Sequence, residues 1–214
     1  MSLQQQFDGH WFVTIQPLPR IDERIPLNDL LTRIQQAQVM LRGWDYPHID
    51  NNTRNRDRAI ENTTDWREYH ERWRFSTSGF FAHRWRMRED GIPERVGTLD
   101  FISAIWSMTE VFVFSSRLYG EDPTVEQVTV SLELDGLHDR RLTSSPEYWI
   151  NARHLPSENI FRREATLNRA TMLADPLVTP GRWAQALFHV MGAPGLTEET
   201  VRSHQQRLID RRFG

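Results

Sequence analysis

Between Glu71 and Arg88 apolar and polar residues alternate with a period of two, interrupted by the run Ser76-Thr77-Ser78-Gly79. Alternation on both sides of a turn-forming run predicts an antiparallel hairpin, Glu71 to Phe75 paired with Phe81 to Arg88. Trp73 and Phe75 then share a face with Phe81, Trp85 and Met87. Arg72 and Arg74 share the opposite face with Arg84, Arg86 and Arg88. The pattern therefore predicts an aromatic inner face and an arginine outer face.

The same period recurs from Gln127 to Leu134, where Val128, Val130, Leu132 and Leu134 fall on one side. Asp135-Gly136 predicts a turn into a partner strand near Arg140 to Thr143. His10 to Leu18 reads as a first strand closed by Pro17 and Pro19. Asn28 or Asp29 can cap a helix reaching about Leu41, which Gly43 stops. Leu99 to Tyr119 is apolar nearly all round, which predicts a central core helix. Asp100, Glu110 and Arg117 within it argue against a membrane span. Trp44 to Asp65 is polar and reads as a long loop. After Pro146 the pattern turns helical over Ser157 to Leu173, Pro180 to Met191 and Thr197 to Arg212, with Thr197 as N-cap and Glu198 and Glu199 in the first turn. The expected architecture is α+β: an antiparallel sheet of two hairpins packed on a central apolar helix, with a helical C-terminal third. One domain is expected over 1–214, with 1–150 mainly sheet plus the central helix and 151–214 a helical subregion.

Composition narrows the chemistry. A chain of 214 residues with 38% hydrophobic content and eight Trp can bury roughly 70% of its unfolded surface without a metal or disulfide. The formal net charge is -3, so any nucleic-acid contact must rest on a local patch. Cysteine is absent, which removes disulfides, thiolate nucleophiles and Cys-ligated metals. Lysine is absent too, since all 26 basic residues are Arg. P-loop, Schiff-base and nuclease-type lysines are thereby excluded. The opening residues lack a basic segment followed by an apolar one, so a cytoplasmic location without secretory signal or membrane contact is expected.

Candidate chemistry is sparse. The hairpin arginines Arg72, Arg74, Arg84, Arg86 and Arg88 can pair bidentately with phosphates or with a partner's carboxylates. Outward hairpin faces are also charged simply to stay solvated. Asp45, His48 and Asp50 crowd one segment, as a metal or acid–base site would require, yet they equally suit an anchored turn. Glu110 in the apolar helix needs a partner or a raised pKa, and an arginine ion pair is the simpler outcome. His138-Asp139 lies between strands, away from the helical His and Asp residues that metal-binding HD chemistry uses. The last two helices, joined through Gly192-Ala193-Pro194-Gly195, have a helix-turn-helix outline, with Arg202, Gln205, Arg207, Arg211 and Arg212 on the second. No catalytic residue, metal ligand or cofactor is assigned.

Four stretches carry a family resemblance: LRGWDYPHID (Leu41 to Asp50), WRFSTSGFFAHRW (Trp73 to Trp85), SMTEVFVFSSRLY (Ser107 to Tyr119) and VTVSLELDGLHDRRL (Val128 to Leu142). In order and character they resemble the uncharacterised region that follows the Schlafen-type, AlbA-like putative ATP- or DNA-binding domain of many bacterial proteins. The resemblance runs from Trp11 to Leu208. This chain lacks the AlbA-like domain, so the resemblance implies a free-standing accessory version acting in a complex, near defence or regulatory functions. It supplies no catalytic residues. The reading is a non-enzymatic accessory subunit that binds a protein partner or itself. A nucleic-acid module using the arginine face is the alternative, and a metal-dependent hydrolase at Asp45, His48 and Asp50 is third.

Overall fold

A computed structural model describes residues 7–143, 150 and 152–212. It is α+β, as the patterning predicts. Nine strands are described: β1 His10–Leu18, β2 Arg54–Arg56, β3 Ala59–Trp66, β4 Tyr69–Ser76, β5 Phe81–Arg86, β6 Thr98–Asp100, β7 Gln127–Leu134, β8 Arg141–Thr143 and β9 Phe161–Asn168. The helices are α1 Leu30–Ala37, α2 Phe101–Tyr119, α3 Arg169–Ala174, α4 Val178–Val190 and α5 Glu198–Ile209. Seven strands form one antiparallel sheet in the order β2-β3-β4-β5-β1-β7-β9.

The hairpin of β4 and β5 forms because its alternation gives each strand one face to bury. Trp73, Phe75 and Phe81 are buried, with Trp73 opposite His83 and Phe75 opposite Phe81. The turn between them uses Gly79 at φ +81°, a left-handed conformation that a Cβ disfavours. β1 supplies Trp11, Val13 and Ile15 to the same inner face, and β7 supplies Val128, Val130, Leu132 and Leu134.

Over that face lies α2. The Asp100 carboxylate accepts a hydrogen bond from the Ser103 backbone N–H at 2.7 Å and starts the helix. Phe112 and Phe114 are fully buried within it, and the Phe114 ring lies 4.8 Å from that of Phe81. Burying each such ring contributes about 1.5–3 kcal/mol. Helices α1, α4 and α5 flank it. In α5 the Thr197 hydroxyl accepts from the Thr200 N–H, the predicted cap. Among the described residues no helix is long and apolar enough to cross a membrane.

Several predicted elements are different. The first helix ends at Ala37 rather than Leu41, because Val39 instead exchanges backbone hydrogen bonds with Tyr46 at 2.9 Å. The polar stretch expected as a loop contains β2 and β3. β3 buries Glu61 and Asn62, whose polar partners arrive from elsewhere in the chain. After Asp135-Gly136 the chain does not fold back on β7: β8 pairs parallel with β6, and the antiparallel neighbours of β7 are β1 and β9. β9 occupies Phe161–Asn168, within a stretch predicted to be helix. Its pairing with β7 satisfies the backbone and overrides helix-favouring Arg, Glu, Ala and Leu. The break expected at Pro146 lies outside the described residues.

Candidate functional site

The outer face of the sheet carries no described helix. On its β2–β5 half, Arg54, Arg56, Arg72 and Arg74 surround the buried carboxylate of Glu61, at 3.0, 3.6, 3.2 and 3.7 Å. Register places Arg72 opposite Thr63 and Arg84, and Arg74 opposite Glu61. Burial raises the pKa of Glu61, but hydrogen bonds from Arg72 and Arg54 and the charges of Arg72 and Arg56 outweigh that and hold it below the ordinary glutamate value. The Arg72 side chain nonetheless remains 59% exposed and that of Arg74 40%. Arg74 also lies 3.7 Å from the Asp57 carboxylate, and two carboxylates do not neutralise four guanidiniums.

Arg84 is exposed and, among the described residues, has no carboxylate within ion-pair distance. Directly across the ladder, on β1, stands Phe12, 43% exposed. A free guanidinium thus sits beside an exposed ring on the outer sheet surface. The other half of this face is neutral to mixed in charge: Thr129 and Thr166 share a hydrogen bond, and Arg162 pairs with Glu133.

Two of the five predicted arginines are placed differently. Arg86 is the last residue of β5; its Nε lies 3.0 Å from Asp8 and its NH2 donates to the Asp90 carbonyl. Arg88 is off the strand altogether. The chain leaves the sheet at Met87 and turns through a 3-10 helix, Arg88–Gly91, which directs Arg88 to Glu68 at 3.4 Å and over the Tyr69 ring. Period-two counting carried the strand two residues too far. Arg54 and Arg56 were missed because they lie on a three-residue edge strand inside a polar stretch.

Beneath the sheet, on the inner side of β4 and β5, lies a cavity of about 100 Å³. Glu71 accepts from Trp44 Nε1 at 2.7 Å and is joined to His83 Nε2 at 2.8 Å. Arg42 donates to both carboxylate oxygens of Glu110, at 3.0 and 2.7 Å, and to Ser107 Oγ. Glu110 therefore has the arginine partner its position demands. Burial still dominates and, with the charges of Glu71 and Asp45 adding to it, lifts the carboxyl to about 6 against the opposing effect of Arg42. Trp44 stacks on Tyr69 at 3.9 Å between ring centroids, and Trp11 on Trp85 at 5.8 Å.

The segment from Asp45 to Asp50 does not assemble as a metal site. Asp50 receives hydrogen bonds from Asn62, Thr64 and the Asn52 backbone, which pin the loop to β3. His48 stacks on Trp44, and its carbonyl accepts from Trp73 Nε1. Among the described residues no group of three or more His, Asp or Glu is arranged to hold a metal ion. The His138 and Asp139 side chains lie 3.2 Å apart on the surface. In α5, Gln205 is buried against Leu177 and Thr109, and Arg202 pairs with Asp175. That helix packs into the core against α2 and α4 through Val201, His204, Gln205 and Leu208.

Comparison with known proteins returned no matching family model, no similar curated protein and no similar solved structure.

Proposed function

We propose that this chain is a non-catalytic accessory subunit that holds a single nucleic-acid strand on the arginine half of its open sheet face. The observation that carries the reading is the pairing of Arg84 with Phe12 on neighbouring strands, beside an arginine cluster with one carboxylate at its centre. An open antiparallel face that offers guanidiniums to phosphates and a ring to a base has the elements that single-strand binders use. The overall charge of -3 agrees with a local electrostatic footprint rather than a basic protein. The place of this subunit in a bacterial defence or regulatory complex rests on the sequence resemblance alone.

Fluorescence anisotropy with a labelled single-stranded oligonucleotide tests this. Binding should weaken steeply as salt rises, and Arg84→Ala should lower the log–log salt slope by about 0.7, the share of one single-strand phosphate contact. Phe12→Ala should weaken binding without changing that slope. Binding that is absent, or indifferent to Arg84, would overturn the proposal. An acidic protein surface would then be the occupant left for these guanidiniums.

A further inference from the structure

The cavity beneath β4 and β5 is a second site, on the opposite side of the sheet from the arginine face. Three of its lining side chains carry buried polar atoms with no hydrogen-bond partner, Tyr46 Oη, His83 Nδ1 and Arg86 Nε; the last is charge-paired with Asp8 at 3.0 Å, which leaves two with nothing opposite them. Tyr46 is 6% exposed and His83 2%, with ring centroids 5.0 Å apart. A buried polar group without a partner is costly, so two in one cavity mark a place built for something that supplies the missing bonds.

The surroundings define what that is. His83 is held through Nε2 by Glu71; with Nε2 donating to that carboxylate, the ring in its neutral form presents a lone pair at Nδ1 that calls for a donor. The three arginines lining the cavity are already paired: Arg42 with Glu110, Arg88 with Glu68, and Arg86 with Asp8. Asp45, Glu71 and Glu89 line it with no arginine ion pair among the described residues. The fixed charge is therefore in carboxylate excess. Trp11, Trp44, Tyr69 and Trp85 line it, aromatic rings whose faces attract a cation. We infer that this cavity binds a small organic cation, a primary ammonium on an aromatic or apolar body, which donates to His83 Nδ1 and meets the Tyr46 hydroxyl while its charge faces the carboxylates of Asp45, Glu71 and Glu89.

The ring faces give a direct readout, since a ligand in the cavity quenches tryptophan fluorescence. Three probes separate the parts of the claim at pH 8, where an ordinary imidazole is neutral. Benzylammonium should quench saturably. Benzyltrimethylammonium, a cation with no N–H to give, should bind at least about tenfold more weakly, and phenylacetate should not bind. Tyr46→Phe should weaken benzylammonium severalfold while leaving thermal stability unchanged or raised, because it deletes an unpartnered hydroxyl; a merely structural tyrosine would lose stability instead. Glu71→Gln should weaken it further. No saturable quenching, equal binding of the trimethyl cation, binding of phenylacetate, or indifference to both substitutions would each overturn the inference. None of these outcomes depends on nucleic-acid binding, because Arg84 and Phe12 lie on the other face of the sheet.

Discussion

Arg140 donates to both carboxylate oxygens of Asp90, at 2.9 and 2.7 Å, and neither side chain reaches solvent. The same guanidinium donates to the carbonyls of Gly136 and Thr98, and Asp90 also accepts from the Gly9 N–H. One buried ion pair thus ties the start of β1, the entry to α2 and the loop after β7 into a single knot. Gly136 permits it: at φ +72° its backbone passes so close to Gly9 that an added Cβ would lie 2.6 Å from the Gly9 Cα.

Removing one partner of that pair leaves the other charged and buried. Asp90→Asn should cost about 3–5 kcal/mol in urea unfolding, whereas replacing both, Asp90→Leu with Arg140→Met, should recover part of the loss. Burial pushes the Asp90 carboxyl up, but the hydrogen bond and charge of Arg140 and the Gly9 N–H outweigh it and lower the pKa. A depressed carboxyl contributes stability above its unfolded value of about 4, lost as pH falls through the lower folded value. The acid unfolding limb of the wild type should therefore be steeper than that of the double variant.

Glu110 works with the opposite sign. Its carboxyl is lifted from 4.5 to about 6, so the folded state favours the protonated form. Its contribution is fully present below about pH 4.5 and is lost as pH rises to about 6, a change on the order of 2 kcal/mol. The difference in unfolding free energy between wild type and Glu110→Gln should fall by that amount across this interval and stay flat above it. A difference that instead rises with pH would show that Arg42 holds Glu110 ionised below its unfolded value.

Glu61 separates stability from binding on the arginine face. Glu61→Gln should destabilise the fold by about 1–3 kcal/mol, since a buried acceptor of charged hydrogen bonds is lost. It should also raise oligonucleotide affinity about fivefold, the equivalent of about 1 kcal/mol for one charge near the surface. Denaturant unfolding and anisotropy on the same variant read the two effects. Lower affinity would mean that Glu61 organises the guanidiniums rather than merely neutralising them.

Sequence alternation reached the hairpin and β7 because each of those strands buries one face against apolar neighbours, and period two is then written in the side chains. It missed β3 and β9 for a related reason. On β3 the buried residues Glu61 and Asn62 are polar, and what satisfies them, Arg72 and Asp50, comes from other segments. On β9, an edge strand, only Phe161 is deeply buried, so local propensity spoke louder than pairing.

The sequence by itself determined the α+β class, the central helix, the split of aromatic and arginine faces across the hairpin, and the absence of lysine and cysteine chemistry. These are properties of single residues or of neighbours two to four apart, where backbone geometry alone decides which side a residue takes. Only the tertiary structure decided that Arg54 and Arg56 join Arg72 and Arg74 around Glu61, that Arg88 leaves that face, and that Tyr46, Glu71, His83 and Glu110 meet around one cavity. Those groupings bring together residues tens of positions apart. They are set by strand order and by how α2 and the loop from Arg42 to Asp50 lie over the sheet, and no local pattern encodes that.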